Sequence, residues 1–332
     1  MRPRTRVAAA LLFVAALAAL AQTPAPPKQQ PRNAEPKARQ RGGEYTLTVD
    51  VDHVVLHASV TDKNGRVISG LKRENFRVYE DNAAQEVSVF YHEDVPVTVG
   101  LVLDNSGSMT ENKPSMMAGA LRFAETSNPR DEVFVVNFKD DYYLDLGSGK
   151  DFTSDLEELQ EALAKTTTGG NTSLWDAISA SLGHLRRGTH QKKVLLILSD
   201  GVDSTSSLTF NKLLGEAQQA ETALYFIGLP CGQDAKRGVC RKAKRDLRRL
   251  AEVTGGVAYF PVSITEVEAL CRQVAHDIRN QYILAYYPTN SAHDGSFRAV
   301  RVEVVNPPKG AGKLFVRART GYYSARERSA GS

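Results

Sequence analysis

The chain has 332 residues, 42% of them hydrophobic and 24% charged. These are the proportions of a globular protein rather than a disordered one, and the length suits one large domain or two ordinary ones. The net charge of +4 misleads: eight of the 42 Lys/Arg but only Glu35 of the 38 acids lie in residues 1–43, leaving 34 basic against 37 acidic residues beyond. The folded part is therefore mildly acidic, and nothing in its overall charge argues for nucleic acid as a partner.

In chain order, the first segment reads MRPRTRVAAALLFVAALAALAQTP. Arg2, Arg4 and Arg6 form a basic start, Val7 to Leu20 an apolar run, and Ala19-Leu20-Ala21 a small-residue cleavage pattern. This is the layout of a secretory signal peptide spanning 1–21, removed after Ala21. The apolar run is shorter than the ~20 residues of a membrane-spanning helix, so no transmembrane segment is expected after cleavage. The expected location is periplasmic, cell-surface or extracellular. Residues 22–43 are rich in Pro, Gln and basic residues and read as a disordered linker.

From residue 44 the pattern turns to β. The stretch YTLTVDVDHVVLHASVTD alternates apolar and polar residues and runs into Asn64-Gly65, a hairpin signal. FRVYEDNAAQEVSVFYHED repeats the logic, with a turn expected at Asp81-Asn82. His53 and His57 share one side of the first strand and read as ordinary β residues.

After Pro96 the character changes. VTVGLVLD (97–104) and KVLLILSD (193–200) are near-continuous apolar runs, as in strands buried on both faces. Further strands are expected at 132–138, 142–147, 223–229 and 257–262. Helices are expected near 113–127, 153–165, 172–187, 207–221, 244–254 and 264–280. Strands alternating with helices of this length predict a doubly wound, mostly parallel α/β sheet over 96–280. Beyond 281, QYILAYYP, FRAVRVEVV and LFVRARTGYY have no helices between them and cannot extend a parallel sheet. They are expected to pair with residues 44–95, so that 44–95 plus 281–324 form a discontinuous β-sandwich flanking the α/β domain, followed by a flexible tail at 325–332.

Three cysteines are present. In an exported protein Cys231 and Cys240 can close the short loop between them as a disulfide, or stay reduced. Cys271 sits in a helical apolar pattern and reads as a buried free thiol. AKRGVCRKAKRDLRRL (235–250) holds eight basic residues, enough to touch phosphates or anionic head groups, although a solvated loop and helix face is the simpler reading.

Ligands of an open parallel sheet bind on the loops beyond the carboxyl ends of its strands. The first such loop offers Asp104, Ser106 and Ser108, with Gly107 expected to relieve crowding in the turn. The TTTGGNTSLWDAI segment places Thr172 at the head of a helix, and ILSDG supplies Asp200. Asp203 lies three residues further on, either as a supporting group or as a turn residue. Asn171 is expected to cap the Thr172 helix, and Trp175 to pack in the core. Hydroxyls and carboxylates are hard donors, so the ion they suit is Mg²⁺, Mn²⁺ or Ca²⁺ rather than zinc. With neutral hydroxyls dominant, such an ion would retain positive charge and open positions for an acidic ligand from elsewhere.

DNSGSM (104–109), TGGNTSLWDAI (168–178) and ILSDG (197–201) resemble the von Willebrand factor type A domain, whose metal-ion-dependent adhesion site has the pattern Asp-x-Ser-x-Ser … Thr … Asp. The resemblance covers about 96–280, and the flanks look like the wider arrangement of related acidobacterial proteins. It implies direct ligation by Ser106, Ser108 and Thr172, with Asp104 and Asp200 acting largely through water. It further implies a non-enzymatic protein-binding or adhesion module, most readily with Mg²⁺, whose partner supplies an Asp or Glu. The alternatives are a metal-dependent hydrolase, for which the sequence offers no positioned general base unless Asp203 serves, and an envelope assembly or scaffold subunit.

Overall fold

The computed structural model describes residues 40–41, 44–45 and 53–325, apart from 148, 166, 233–234 and 309. The expected signal peptide, the linker up to residue 39 and the tail beyond 325 lie outside those residues. Two short strands, β1 (Gln40–Arg41) and β2 (Glu44–Tyr45), pair antiparallel with each other.

Every residue of β7 (Val97–Asp104) is buried, as a strand covered on both faces must be. It pairs in parallel with β10 (Lys192–Ser199) on one side and β8 (Glu132–Phe138) on the other. β11 (Thr222–Gly228) and β12 (Ala258–Tyr259) continue the parallel sheet beyond β10, and β9 (Tyr142–Leu144) closes the far edge antiparallel to β8, giving the order β12-β11-β10-β7-β8-β9. Strand side chains alternate between faces. Val99, Leu101 and Leu103 of β7 join α1 (Lys113–Thr126), α2 (Leu156–Ala164) and α6 (Val267–Arg279) in one core. Val102, with Phe134 and Ile197 of the neighbouring strands, faces α3 (Leu174–Leu185), α4 (Phe210–Gln219) and α5 (Arg237–Thr254) in the other. Each fully buried Leu or Val side chain contributes about 1.5–3 kcal/mol, so the two cores anchor the sheet between its helical layers. Trp175 belongs to the second core, edge-on to Phe210. Cys271 is buried in the first, and burial pushes its thiol up to about 12.

Two four-stranded antiparallel sheets make up the rest. One has the order β15 (Phe315–Arg317), β3 (Val54–Thr61), β13 (Tyr282–Tyr286), β6 (Val87–Tyr91). The other runs β16 (Gly321–Tyr323), β14 (Phe297–Val304), β4 (Phe76–Glu80), β5 (Ala83–Gln85). Leu56, Ala58, Leu284 and Tyr286 from the first meet Phe76, Val78 and Val300 from the second in a shared core. Asp81 and Asn82 both take positive φ, 46° and 68°, the backbone of a two-residue hairpin turn, and join β4 to β5. At Asn64-Gly65 the turn also forms, held by Asp62 accepting from the amides of Asn64 and Arg66, but its second arm is a single bridge, Thr61 to Val67.

The structure departs from the sequence reading in several elements, among them the strand expected at 142–147, which is only Tyr142–Leu144. LFVRARTGYY is two strands in two different sheets rather than one. α5 starts at Arg237, seven residues earlier than expected, because none of residues 237–242 is buried and the start so carries no apolar period. The strand expected over 257–262 is reduced to Ala258–Tyr259.

A polar seam joins the α/β layer to the antiparallel sheets. Tyr225 of β11 donates its hydroxyl to Asp277 of α6 at 2.9 Å, and Arg317 of β15 reaches the same carboxylate at 2.7 Å. Gln281 donates to Ser59 Oγ (3.2 Å) and Tyr225 Oη (3.1 Å), and the Lys192 ammonium to the carbonyl of Ile278. Burial pulls Lys192 down to about 8 despite the nearby Asp277, Asp94 and Asp131. His57 is pulled down to about 3 by burial and by the charges of Lys192 and Arg319. Asp94, just before β7, pairs at 2.7 Å with Arg279 at the end of α6.

Candidate metal centre

The parallel register sets Leu103 beside Leu198, so β7 and β10 end together and release Asp104 and Asp200 at the same edge. Asp104 is fully buried. One carboxylate oxygen accepts from the Ser106 amide (2.9 Å) and the other from the Ser199 hydroxyl (2.6 Å). The Asp200 carboxylate accepts from the Val202 amide (2.9 Å) and, through its second oxygen, from the Ser108 hydroxyl (2.9 Å). Ser108 Oγ lies 3.2 Å from Ser106 Oγ. The first loop is thereby tied across to the third, and Ser108 sits at the exposed side of the group.

The middle loop is laid between these two by its backbone. Gly169 donates its amide to Asn105 O (2.9 Å), and Gly107 donates to Gly170 O (3.1 Å). On the other side Ser204 and Thr205 donate their amides to Thr172 O, and Ser204 Oγ accepts from Thr172 N at 3.0 Å. Gly170 has φ +74°, and a Cβ there would collide with the Asp140 carboxylate, which accepts from Asn171 N and Nδ2. Glycine is required at that point both for its conformation and for the close approach. Thr172 is buried, and its backbone is fixed between these loops by Ser204 and Thr205.

Asp104, Ser106, Ser108, Thr172 and Asp200 therefore stand on three adjoining loops at one end of the sheet. The other expected roles shift. Asp203 accepts from the Trp175 amide (3.3 Å) and the Ser206 hydroxyl, while Ser173, which precedes α3, makes no side-chain cap. Asp203 thus caps α3 from the neighbouring loop, a structural use that orients the loop carrying Thr172. Asn171 is not the cap, since α3 begins at Leu174 and Asn171 is held by Asp140. Gly107 does not take a left-handed conformation, and a Cβ on it would meet Gly170 O at an ordinary 3.5 Å, so its contribution is its amide rather than its freedom. The sequence reading missed Ser199, Asp140 and Ser204. For Ser199 a signal existed: a polar residue closing an otherwise apolar buried strand. Cys231 and Cys240 are paired as a disulfide with Cα atoms 6.3 Å apart.

Burial, and secondarily the charge of Asp200, push Asp104 up to about 7; burial also raises Asp200 and Asp203. Buried carboxylates, one of them further destabilised by the charge of the other, favour a positive charge beside them. No group of three His, Cys, Asp or Glu side chains able to hold a metal occurs among the described residues. What is assembled instead is two carboxylates with three hydroxyls, a donor set that fits a hard divalent cation and not a soft one.

Residues 99–202 match the family model described as the von Willebrand factor type A domain, and the matched segment contains all five grouped residues. No curated protein matches the chain. Among solved structures, a von Willebrand factor type A protein from Catenulispora acidiphila aligns over 82% of this chain and 74% of its own at 11% identity, with a TM-score of 0.49. The von Willebrand domain of the type V pili tip protein Mfa5 from Porphyromonas gingivalis aligns over 56% of this chain and 95% of its own, at 14% identity and TM-score 0.46. The pilus adhesin SpaC from Lactobacillus rhamnosus GG, in its open conformation, aligns over 78% of this chain but 48% of its own, at 13% identity and TM-score 0.46. Identities and scores this low say nothing of ligand or partner.

Proposed function

We propose that the loops after β7 and β10 hold a divalent cation, most readily Mg²⁺, with Mn²⁺ or Ca²⁺ as substitutes, and that the chain is an exported protein-binding or adhesion module rather than an enzyme. In this reading Ser106, Ser108 and Thr172 ligate directly, and Asp104 and Asp200 act largely through water. The observation that carries it is the Ser108 hydroxyl, bonded to Asp200 and beside Ser106 on the exposed side of a buried carboxylate pair. Bound there, the ion would supply a Lewis-acidic position open to a carboxylate. A partner's Asp or Glu would complete its shell, and the neutral hydroxyls would leave enough residual charge to attract it. The non-enzymatic assignment rests on the surroundings: the side chains bonded to Asp104 and Asp200 are serine hydroxyls, which do not serve as a general base at neutral pH. The N-terminal segment with its basic start and apolar run supports export, and no helix among the described residues is long and apolar enough to cross a membrane.

Calorimetric titration of the full chain with Mn²⁺ and Mg²⁺ tests the reading, alongside Asp104→Ala and Thr172→Ala. The expected result is one saturable site in the parent and none in Asp104→Ala, with circular dichroism unchanged. Capture of envelope proteins should then depend on the ion. Equal retention in chelator, or undiminished metal uptake by Asp104→Ala, overturns it.

A further inference from the structure

The loop after β11 brings a second chemistry to the metal loops. Gly232 lies against Ser108, where a Cβ on the glycine would come within 3.3 Å of the serine Cβ. Asn112, just before α1, donates to the carbonyl of Pro230 at 3.4 Å. The disulfide from Cys231 to Cys240 then fastens the second turn of α5 to this same loop. The start of α5 is thus one disulfide and one peptide link from Ser108.

That start is strongly basic. Lys236, Arg237 and Arg241 are exposed, and the ion pairs formed by α5 among the described residues involve Lys242, Arg245 and Arg249 instead. Further along the helix the cations are engaged: Lys242 and Arg245 with Asp246, Arg249 with Glu252, and Lys244 and Arg248 over the ring of Phe260. The first turn holds no acid, although the positive end of a helix dipole favours acids and disfavours cations. Among the described residues, exposed positive charge without an ion-pair partner is therefore concentrated at the end of α5 nearest the loops after β7 and β10, against local electrostatic preference.

We propose that Lys236, Arg237 and Arg241, at the start of α5, form with residues 230–232 a docking face for an acidic protein segment, the same segment whose Asp or Glu reaches the ion. This rests on the metal-dependent reading above. Charge complementarity argues for a run of carboxylates flanking the one at the ion, steered by Lys236, Arg237 and Arg241. Continuity with the metal loops, and Val239 as the sole exposed large apolar residue of the face, argue for a peptide over a membrane.

The test is fluorescence anisotropy of the full chain with a labelled peptide of alternating Glu and Gly, in Mg²⁺ and in chelator. The variant Lys236→Glu/Arg237→Glu/Arg241→Glu should weaken binding roughly tenfold or more and flatten its salt dependence, while Mn²⁺ uptake stays at the parent value. The Gln triple variant should fall between, and Arg186→Glu/Arg187→Glu, at the opposite end of the sheet, should leave binding unchanged. If the two Glu variants bind alike while chelator still abolishes binding, the docking face is overturned and the metal reading stands. If charge reversal weakens binding but neither chelator nor Asp104→Ala does, the face stands and the metal reading falls. Stronger uptake by phosphatidylglycerol vesicles than by the peptide, through the same three cations, overturns the acidic-segment partner in favour of lipid phosphate.

Discussion

The two ends of the parallel sheet handle buried polarity in opposite ways. Where β7 and β10 begin, Lys192, Asp277, Arg317, Tyr225 and Gln281 are bonded to one another or to backbone, across the seam with the antiparallel sheets. Where the same strands end, the described partners of Asp104 and Asp200 are hydroxyls and amides, with no ion pair to either carboxylate among the described residues. A polar group answered from within the chain fixes its neighbours; one left unanswered by an opposite charge is available to something from outside. The first end should therefore govern stability and the second binding.

The largest expected effect lies at the seam. Asp277→Ala leaves the Tyr225 hydroxyl and the Arg317 guanidinium without their shared carboxylate and should cost about 3–5 kcal/mol in urea unfolding. Thr172→Ala, at the other end, should cost under about 1 kcal/mol while removing metal uptake. Equal costs would erase the contrast.

Lys192 sharpens it through pH. Its amine sits at about 8 in the fold against an ordinary 10.5. Below pH 8 both folded and unfolded chains hold the proton, and the cost of burying the charge is fully present. Between pH 8 and about 10.5 the unfolded chain holds more protons, so this residue's contribution to stability rises with pH, by up to about 3 kcal/mol. The parent should gain stability relative to Lys192→Met across that window; parallel pH curves would refute the assignment.

At the binding end, saturating Mg²⁺ should stabilise the parent by about 2.7 kcal/mol at one hundred times its Kd, read as a rise in Tm that chelator reverses and that Asp104→Ala lacks. The smallest effect belongs to Arg279→Ala. Its pair with Asp94 is partly exposed, so the loss should stay under about 1 kcal/mol.

Much of this was legible beforehand because burial on both faces leaves an unbroken apolar run. β7 and β10 could be found from that pattern, and with them the edge where Asp104 and Asp200 emerge. The hydroxyl spacing in DNSGSM added Ser106 and Ser108. What escaped was whatever depends on a partner distant in sequence. Asn171 reads as a cap until Asp140, on another loop, is seen to hold it, and Asp203 reads as a turn residue until α3 is found beginning beneath it. The basic run at 235–250 was visible, but that α5 already begins at Arg237 was not, because a solvated helical turn has no apolar period; its closeness to the loop after β7 runs through the Cys231–Cys240 disulfide and one glycine contact. LFVRARTGYY looked like one strand because alternation continues through Ala318–Thr320 while the chain crosses from one sheet to the other.

The Asp94–Arg279 pair marks where the chain passes from the antiparallel sheets into the α/β layer and back. The strands it leaves by and returns to, β6 and β13, are direct neighbours, with Tyr91 opposite Ile283. The α/β layer thus hangs from two adjacent leads fastened at the same end of one sheet. A load applied at the loops after β7 and β10 would draw both leads in the same direction, dividing the tension between them instead of opening the hydrogen bonds between β6 and β13 one by one as in a zipper.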